Sequence, residues 1–203
     1  MSPEEIAKSY DSLAEHWNGD QFPRENGIDQ HRRALGFSDH CGNALDIGCG
    51  SSGRILDLLL HHGFNAEGLD ISNGMIELAM HRHPQITFYH ADICQWEFPK
   101  KYDFISAWDS IWHIPLQQHD RVLRKILAAL SPGGVCIFTT GGVDEPSETL
   151  DAAMGPPMYH SAPGIPAILE IIAKSGSACR HLEYDQWPDL HVYVIVQKLD
   201  NTE

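Results

Sequence analysis

A chain of 203 residues, 42% of them hydrophobic and 9% aromatic, has material for one continuous core and fits a single domain. Its 28 Asp and Glu against 14 Lys and Arg leave a formal net charge of -14, a field that repels polyanions and disfavours nucleic acid and anionic membranes as partners. The five cysteines, Cys41, Cys49, Cys94, Cys136 and Cys179, form no CxxC pair and are odd in number, and residues 1–20 hold no signal-type apolar run. No stretch of about eighteen apolar residues occurs, so the expectation is a cytoplasmic protein that does not span a membrane.

Ser2-Pro3-Glu4-Glu5 reads as a capping box opening a helix to about Trp17, because Ser2 can accept from orphan N–H groups and Pro3 suits the first turn. A short helix around Gln30 to Leu35 completes a helical cap over residues 1–42. From Asn43 the pattern is regular. An apolar strand, Ala44 to Ile47, meets a glycine turn, then a helix carrying Ile55, Leu56, Leu58, Leu59 and Leu60 that stops at Gly63. A second strand, Ala66 to Asp70, leads to a helix capped by Ser72, carrying Met75, Ile76, Leu78 and Ala79 and ended by His83-Pro84.

Further strands are expected at Ile86 to His90, Tyr102 to Ala107 and Val135 to Thr140. A helix from about Leu116 to Leu130 and a tight Ser131-Pro132-Gly133-Gly134 turn lie between the last two. Strands alternating with helices over 43–140 imply crossovers and a mainly parallel sheet covered on both faces. Residues 141–165 show little periodicity and read as a loop at the strands' carboxyl edge, where open α/β sheets bind ligands. Over 166–198 a helix, Pro166 to Lys174, precedes an antiparallel hairpin of Cys179 to Gln186 and His191 to Gln197.

Gly48, Gly50 and Gly53 spell GxGxxG between strand and helix, with Asp70 ending the next strand. The glycines alone suit two cofactors. A dinucleotide brings a pyrophosphate, which favours a turn free of carboxylates, whereas the amino-acid end of S-adenosylmethionine (SAM) brings an ammonium beside a sulfonium. Asp46 suits the cation, Asp70 the ribose hydroxyls and Asp92 the adenine amino group, carboxylates being pure acceptors.

On these residues the chain resembles the class I SAM-dependent methyltransferases. Ala44-Leu45-Asp46-Ile47-Gly48-Cys49-Gly50, Gly68-Leu69-Asp70-Ile71-Ser72 and Ala91-Asp92-Ile93 look like the family's glycine, ribose and adenine motifs. Tyr102-Asp103-Phe104-Ile105 and Leu130-Ser131-Pro132-Gly133-Gly134 look like its fourth- and fifth-strand signatures, and Tyr10-Asp11-Ser12-Leu13-Ala14-Glu15 like the segment that closes over the cofactor. The resemblance implies a Rossmann-like, doubly wound α/β fold of seven strands, mainly parallel, with an antiparallel last strand. It implies SAM as methyl donor, S-adenosylhomocysteine as product, and a cofactor site including Tyr10, Gly48, Cys49, Gly50, Ile71, Met75, Ile93 and Trp108 besides the three acids.

Trp108-Asp109-Ser110 stands where enzymes methylating adenine or glutamine amino groups carry an Asn/Asp-Pro-Pro-aromatic run, and no Pro-Cys dipeptide of the cytosine-modifying type occurs. A small-molecule acceptor is the expectation. In-line methyl transfer asks mainly for alignment and, with some acceptors, for removal of a proton. Asp109 and His113, leaving the fourth strand, are the candidates for that step, with His113 as base or acceptor-orienting group. Trp17, Phe22, Trp108, Trp112, Met154, Met158 and Tyr159 are candidate acceptor-pocket walls, and Arg24, Arg32 and Arg33 candidate carboxylate partners. His61-His62 and His81/His83 have spacings that point side chains apart on a helix, so no metal site is expected. Two other readings stay open: a nicotinamide-dependent oxidoreductase using the same turn, and a non-catalytic SAM-binding sensor.

Overall fold

The computed structural model describes residues 1–18, 25–153 and 155–200, with backbone alone over 15–18. Seven strands form one sheet: β1 (Asn43–Ile47), β2 (Asn65–Asp70), β3 (Thr87–His90), β4 (Tyr102–Ala107), β5 (Leu130–Gly141), β8 (Ser177–Tyr184) and β9 (His191–Lys198). Their order is β3-β2-β1-β4-β5-β9-β8; β1 to β5 pair in parallel, and β9 runs antiparallel between β5 and β8. This is the doubly wound architecture expected of the sequence.

Alternation within each strand builds two cores. Leu45, Ile47, Ile105, Cys136, Phe138, Val192, Val194 and Val196 pack on one face, under α5 (His119–Ala129) and α6 (Ile165–Lys174). Ala44, Phe104, Val135, Ile137, Tyr193 and Ile195 pack on the other with α2 (Ile28–Leu35), α3 (Arg54–His61) and α4 (Asn73–Arg82). The unbroken apolar run of β9, Val-Tyr-Val-Ile-Val from Val192 to Val196, is thereby explained: the strand is buried on both faces in mid-sheet.

Caps fall where the residue types place them. In α1 (Pro3–Asn18) the Ser2 amide donates to Glu5 Oε2 at 2.7 Å and the Glu5 amide to Ser2 Oγ at 3.3 Å. Ser72 Oγ accepts from the Met75 amide at 3.1 Å and opens α4.

Other boundaries move. The expected helix from Leu116 is a 3-10 turn, Leu116–Gln118, followed by α5, which stops at Ala129. Ser131 to Gly134 is not a separate turn but an irregular start of β5, with the register against β4 shifting between Tyr102 and Phe104 and Gly133 at φ 72°. The larger correction concerns 141–165. It contains β6 (Ser147–Asp151) and β7 (Met158–Ala162), paired antiparallel as a two-stranded ribbon. The inner strand β7 is buried on both faces, at Met158, Tyr159, Ser161 and Ala162, while Glu148 to Asp151 of β6 are exposed, an imbalance that hides the period-2 signal. No helix among the described residues is long and apolar enough to cross a membrane.

Candidate functional site

A cavity of about 290 Å³ opens at the carboxyl ends of β1, β2 and β4. Its floor is the glycine turn. Gly48 has φ 71°, and a Cβ there would lie 2.2 Å from Ser110 Cβ, so glycine is required both for the backbone and for the approach of the β4 loop. Asp70, at the tip of β2, accepts from the Gly50 amide at 2.9 Å through Oδ2 and from the Ser72 amide at 2.9 Å through Oδ1. It is 8% exposed, and burial raises its pKa against the pull of those amides. Each oxygen keeps a further lone pair for a ligand donor. Asp92 sits farther along the edge, with Oδ1 held by the Cys94 amide at 2.8 Å and Oδ2 facing Gln95 Nε2 at 3.3 Å. Cys49, Ile71, Met75 and Ile93 line the apolar stretch around these carboxylates.

Asp46 is placed differently from expectation. In β1 it shares a face with Ala44, opposite Leu45 and Ile47, and it pairs in register with Ser106 beneath α2. It is 4% exposed and does not line the cavity. Burial pushes its pKa up to about 7, against a hydrogen bond with Ser106 and the charge of Arg54. Ser106 Oγ also meets His31 Nε2 at 3.0 Å, and the other nitrogen of that buried imidazole donates to the Gly27 carbonyl at 2.6 Å. Strand alternation turns this carboxylate into the support of the sheet's other face.

Helix α1 lies over the cavity as a strap with two anchors. Asp11 Oδ1 accepts from Ser72 Oγ at 2.6 Å and the Gly74 amide at 3.0 Å, at the N-terminus of α4, and Ser9 Oγ donates to the Pro157 carbonyl at 2.9 Å, next to the ribbon. Between them Tyr10 reaches His113 Nε2 at 2.7 Å. His113 ends a 3-10 turn, Ile111–His113, and its Nδ1 lies 2.7 Å from the Tyr159 carbonyl. A carbonyl only accepts, so Nδ1 carries the proton; Nε2 then takes both the Tyr10 hydroxyl and the Trp112 indole N–H, at 2.9 Å. Burial holds this imidazole down at about 4, and it is neutral.

Asp109 leaves β4 in the left-handed region, φ 50°, a conformation Asp tolerates. Its Oδ1 accepts from His191 Nε2 at 2.9 Å and its Oδ2 from Asn26 Nδ2 at 3.0 Å. His191 Nδ1 reaches Asp185 Oδ1 at 2.5 Å, and Gln30 Nε2 donates to Asp185 Oδ2 at 2.8 Å. Burial works to raise Asp109, but His191, Asn26 and Arg54 outweigh it and hold the carboxyl below its ordinary value. His191 moves up: burial opposes its charge, yet the carboxylates on both sides prevail.

Residues 44–134 match the methyltransferase domain family, the stretch that holds the glycine turn, Asp70, Asp92 and the β4 loop. Over this stretch, a little under half of its length, the chain is similar to the methyltransferase domain. Among relatives, a phosphoethanolamine N-methyltransferase of Plasmodium falciparum is 27% identical over 127 residues, 60% of this chain and 48% of that protein. A trans-aconitate 2-methyltransferase of Rhodopseudomonas palustris is 27% identical over 164 residues, 76% of this chain and 63% of its own length. The chain thus spans between about half and just under two thirds of the length of these relatives. A SAM-dependent methyltransferase from Clostridium acetobutylicum superposes with a TM-score of 0.71 at 15% identity, covering 95% of this chain and 99% of that one, a likeness of fold.

The cavity is lined by Tyr10, Gly48, Cys49, Gly50, Asp70, Ile71, Met75, Asp92, Ile93, Trp108, Asp109 and His113, and Asp46 is not among its lining residues. Trp108 and Trp112 line it, whereas Met158 and Tyr159 do not; Phe22, Met154, Arg24 and the Trp17 side chain lie outside the described residues. Arg32 pairs with Asp29 at 2.9 Å and Arg33 with Glu183 at 2.6 Å, both away from the cavity. No metal-holding cluster of His, Cys, Asp or Glu is found among the described residues.

Arg54 and His160 line the cavity without having been anticipated. Arg54 had a usable signal, its place as first residue of the helix after the glycine turn. Its Nε donates to the Asn26 carbonyl at 2.9 Å and its Nη1 to Ser52 Oγ at 3.0 Å. His160, Asp185 and His191 had none, because each reaches the β4 loop or the cavity only through tertiary folding.

Proposed function

We propose that this protein transfers a methyl group from SAM to an O, N or S nucleophile of a small molecule. The observation that carries the reading is Asp70 with its surroundings: an ionisable acceptor at the tip of β2, anchored by the Gly50 and Ser72 amides and facing a cavity flanked by Ile71 and Ile93. That acceptor fits the donating hydroxyls of a ribose diol beside a flat purine, with Asp92 in reach of an exocyclic amino group. It fits a dinucleotide poorly, because the Gly50 amide, which would serve a pyrophosphate oxygen, is already given to Asp70.

SAM supplies a methyl group already activated by the sulfonium. The chain's own residues then have three tasks. Gly48, Cys49 and Gly50, with Tyr10 and Trp108, line the cavity and would hold the methionine end. Helix α1, tied at Asp11 and Ser9, excludes water, which favours displacement over hydrolysis. Asp109, kept ionised by His191 and Asn26, presents an acceptor to a ligand N–H or O–H. His113 serves as a positioning residue: its free lone pair is given to Tyr10 and Trp112, so it holds the strap and the β4 loop together.

The relatives named above act on a phosphoethanolamine and on an aconitate, both small molecules, which supports an acceptor of that size. The acidic charge of the chain and five free thiols support a solute acceptor in a reducing, cytoplasmic compartment. Calorimetry with SAM, S-adenosylhomocysteine and NAD, followed by a product assay over amines, phenols, carboxylic acids and thiols, tests the proposal. Binding of the two sulfur ligands and product from one acceptor class is the expected result. Binding of NAD alone would overturn it, and tight SAM binding without product from any class would favour the sensor reading.

A further inference from the structure

The ribbon brings one titratable side chain to the acceptor side of the cavity that nothing above employs. His160, in the middle of β7, lines the cavity beside the 3-10 turn, its ring centroid 4.8 Å from that of His113 and 5.7 Å from that of Trp112. Its Nδ1 faces Asp151 Oδ2 of β6 at 3.2 Å. The register explains the pairing: Thr149 opposes His160 and Asp151 opposes Met158, so Asp151 is the diagonal neighbour of His160, within reach of a long polar side chain.

A carboxylate accepts and does not donate, so the nitrogen facing Asp151 carries the proton and Nε2 keeps its lone pair. The His160 side chain is 31% exposed, against 8% for His113 as a residue, so solvent and ligands reach it from the cavity mouth. Asp151 approaches it from β6 and His113 from the 3-10 turn, and His113 is neutral with both nitrogens engaged. Of the two imidazoles at this end of the cavity, His160 is the one with a nitrogen to offer.

Resting on the methyl-transfer reading, we propose that His160 is the proton acceptor for the methyl acceptor, with Asp151 the positioning residue that fixes its tautomer. As the nucleophile's bond to the methyl carbon forms and the carbon–sulfur bond breaks, the electron pair leaves with the sulfur, and the proton of the acceptor O–H, N–H or S–H passes to Nε2. The imidazolium so formed lies against the Asp151 carboxylate and returns its proton to water at the exposed mouth. The ribbon is then a catalytic element, and the proton site differs from both Asp109 and His113.

Two measurements test this on the full chain. The complex with S-adenosylhomocysteine is treated with diethyl pyrocarbonate between pH 6 and 8 and the modified histidines are located by peptide mass spectrometry. His160 is expected to react while His113, His31 and His119 stay protected, and Asp151→Asn is expected to slow modification of His160 at least threefold. An unreactive His160, a His113 that reacts as fast, or no effect of Asp151→Asn overturns the assignment.

With an acceptor identified by the product assay, His160→Gln is expected to lower kcat by a hundredfold or more with KM within threefold, and to remove the acidic limb of the pH–rate profile. His113→Gln keeps that limb. A His160→Gln enzyme within twofold of the parent overturns the proposal. Calorimetry with S-adenosylhomocysteine is run on each variant: parent binding lost would sink the methyl-transfer reading itself, whereas intact binding in both confines any failure to His160.

Discussion

Asp70 does two jobs with one carboxylate. Its accepted amides hold the glycine turn and the start of α4 together, and its remaining lone pairs face the cavity. Asp70→Ala is therefore expected to weaken S-adenosylhomocysteine binding by roughly 1–3 kcal/mol, the range for a lost hydrogen bond to a charged group, or about 5- to 150-fold in Kd. Calorimetry reads this directly, and an unaltered Kd would contradict the ribose role. His113 teaches a different lesson at the same scale. From sequence it is a histidine in the right place to take a proton; in the structure its basic nitrogen is occupied, and burial holds it near 4. A histidine's role follows from which partners its two nitrogens already have.

Among elements, the ribbon of β6 and β7 changes the picture most. Ser161 pins it: Oγ donates to the Ile114 carbonyl at 2.7 Å and accepts from His119 Nε2 at 2.8 Å, joining β7 to the β4 loop and to α5. Ser161→Ala leaves a buried carbonyl and a buried imidazole N–H without partners. A loss of about 1–3 kcal/mol is expected, read as a lower urea midpoint with unchanged slope, together with faster amide exchange in β7. A midpoint equal to the parent would show that the ribbon is held by its apolar face alone. The ribbon was not legible because only one strand carries buried apolar residues; β9 was legible for the opposite reason, an apolar run without alternation from Val192 to Val196. The caps at Ser2 and Ser72 were legible because they are local, made within three residues.

For the whole molecule, the buried carboxylates set how stability varies with pH. Asp46 has an ordinary value of 3.8 and is raised to about 7 in the fold, mainly by burial. The native state therefore binds a proton that the unfolded chain releases above 3.8. The stabilisation is fully present below that value and is lost as pH rises through about 7, amounting to at most about 4 kcal/mol. Asp70, also raised, acts with the same sign. Asp109, lowered, contributes above the ordinary carboxylate range and loses that contribution as pH falls, while His191, raised, loses its contribution as pH climbs above the ordinary histidine range. Asp46→Asn is expected to raise stability at pH 8 more than at pH 5 and so flatten the profile between them, measured by denaturation at fixed ionic strength. An unchanged profile would mean that Asp46 keeps its charge at low cost through Arg54.

What the sequence alone determined is everything carried by period and by near neighbours. The order of strands and helices outside residues 141–165, the glycine turn and the acids at the ends of β2 and β3 follow from residues within a few positions of one another. What only the tertiary structure decided is which way each side chain faces once strands are in register, and who meets whom across the fold. Asp46 turned from the cavity because strand alternation gives it the face of Ala44. His191 and Asp185 closed on Asp109 because β9 inserts between β5 and β8, and His160 reached the cavity because a ribbon folds back over the β4 loop. Such contacts join residues tens of positions apart, and no local pattern records them.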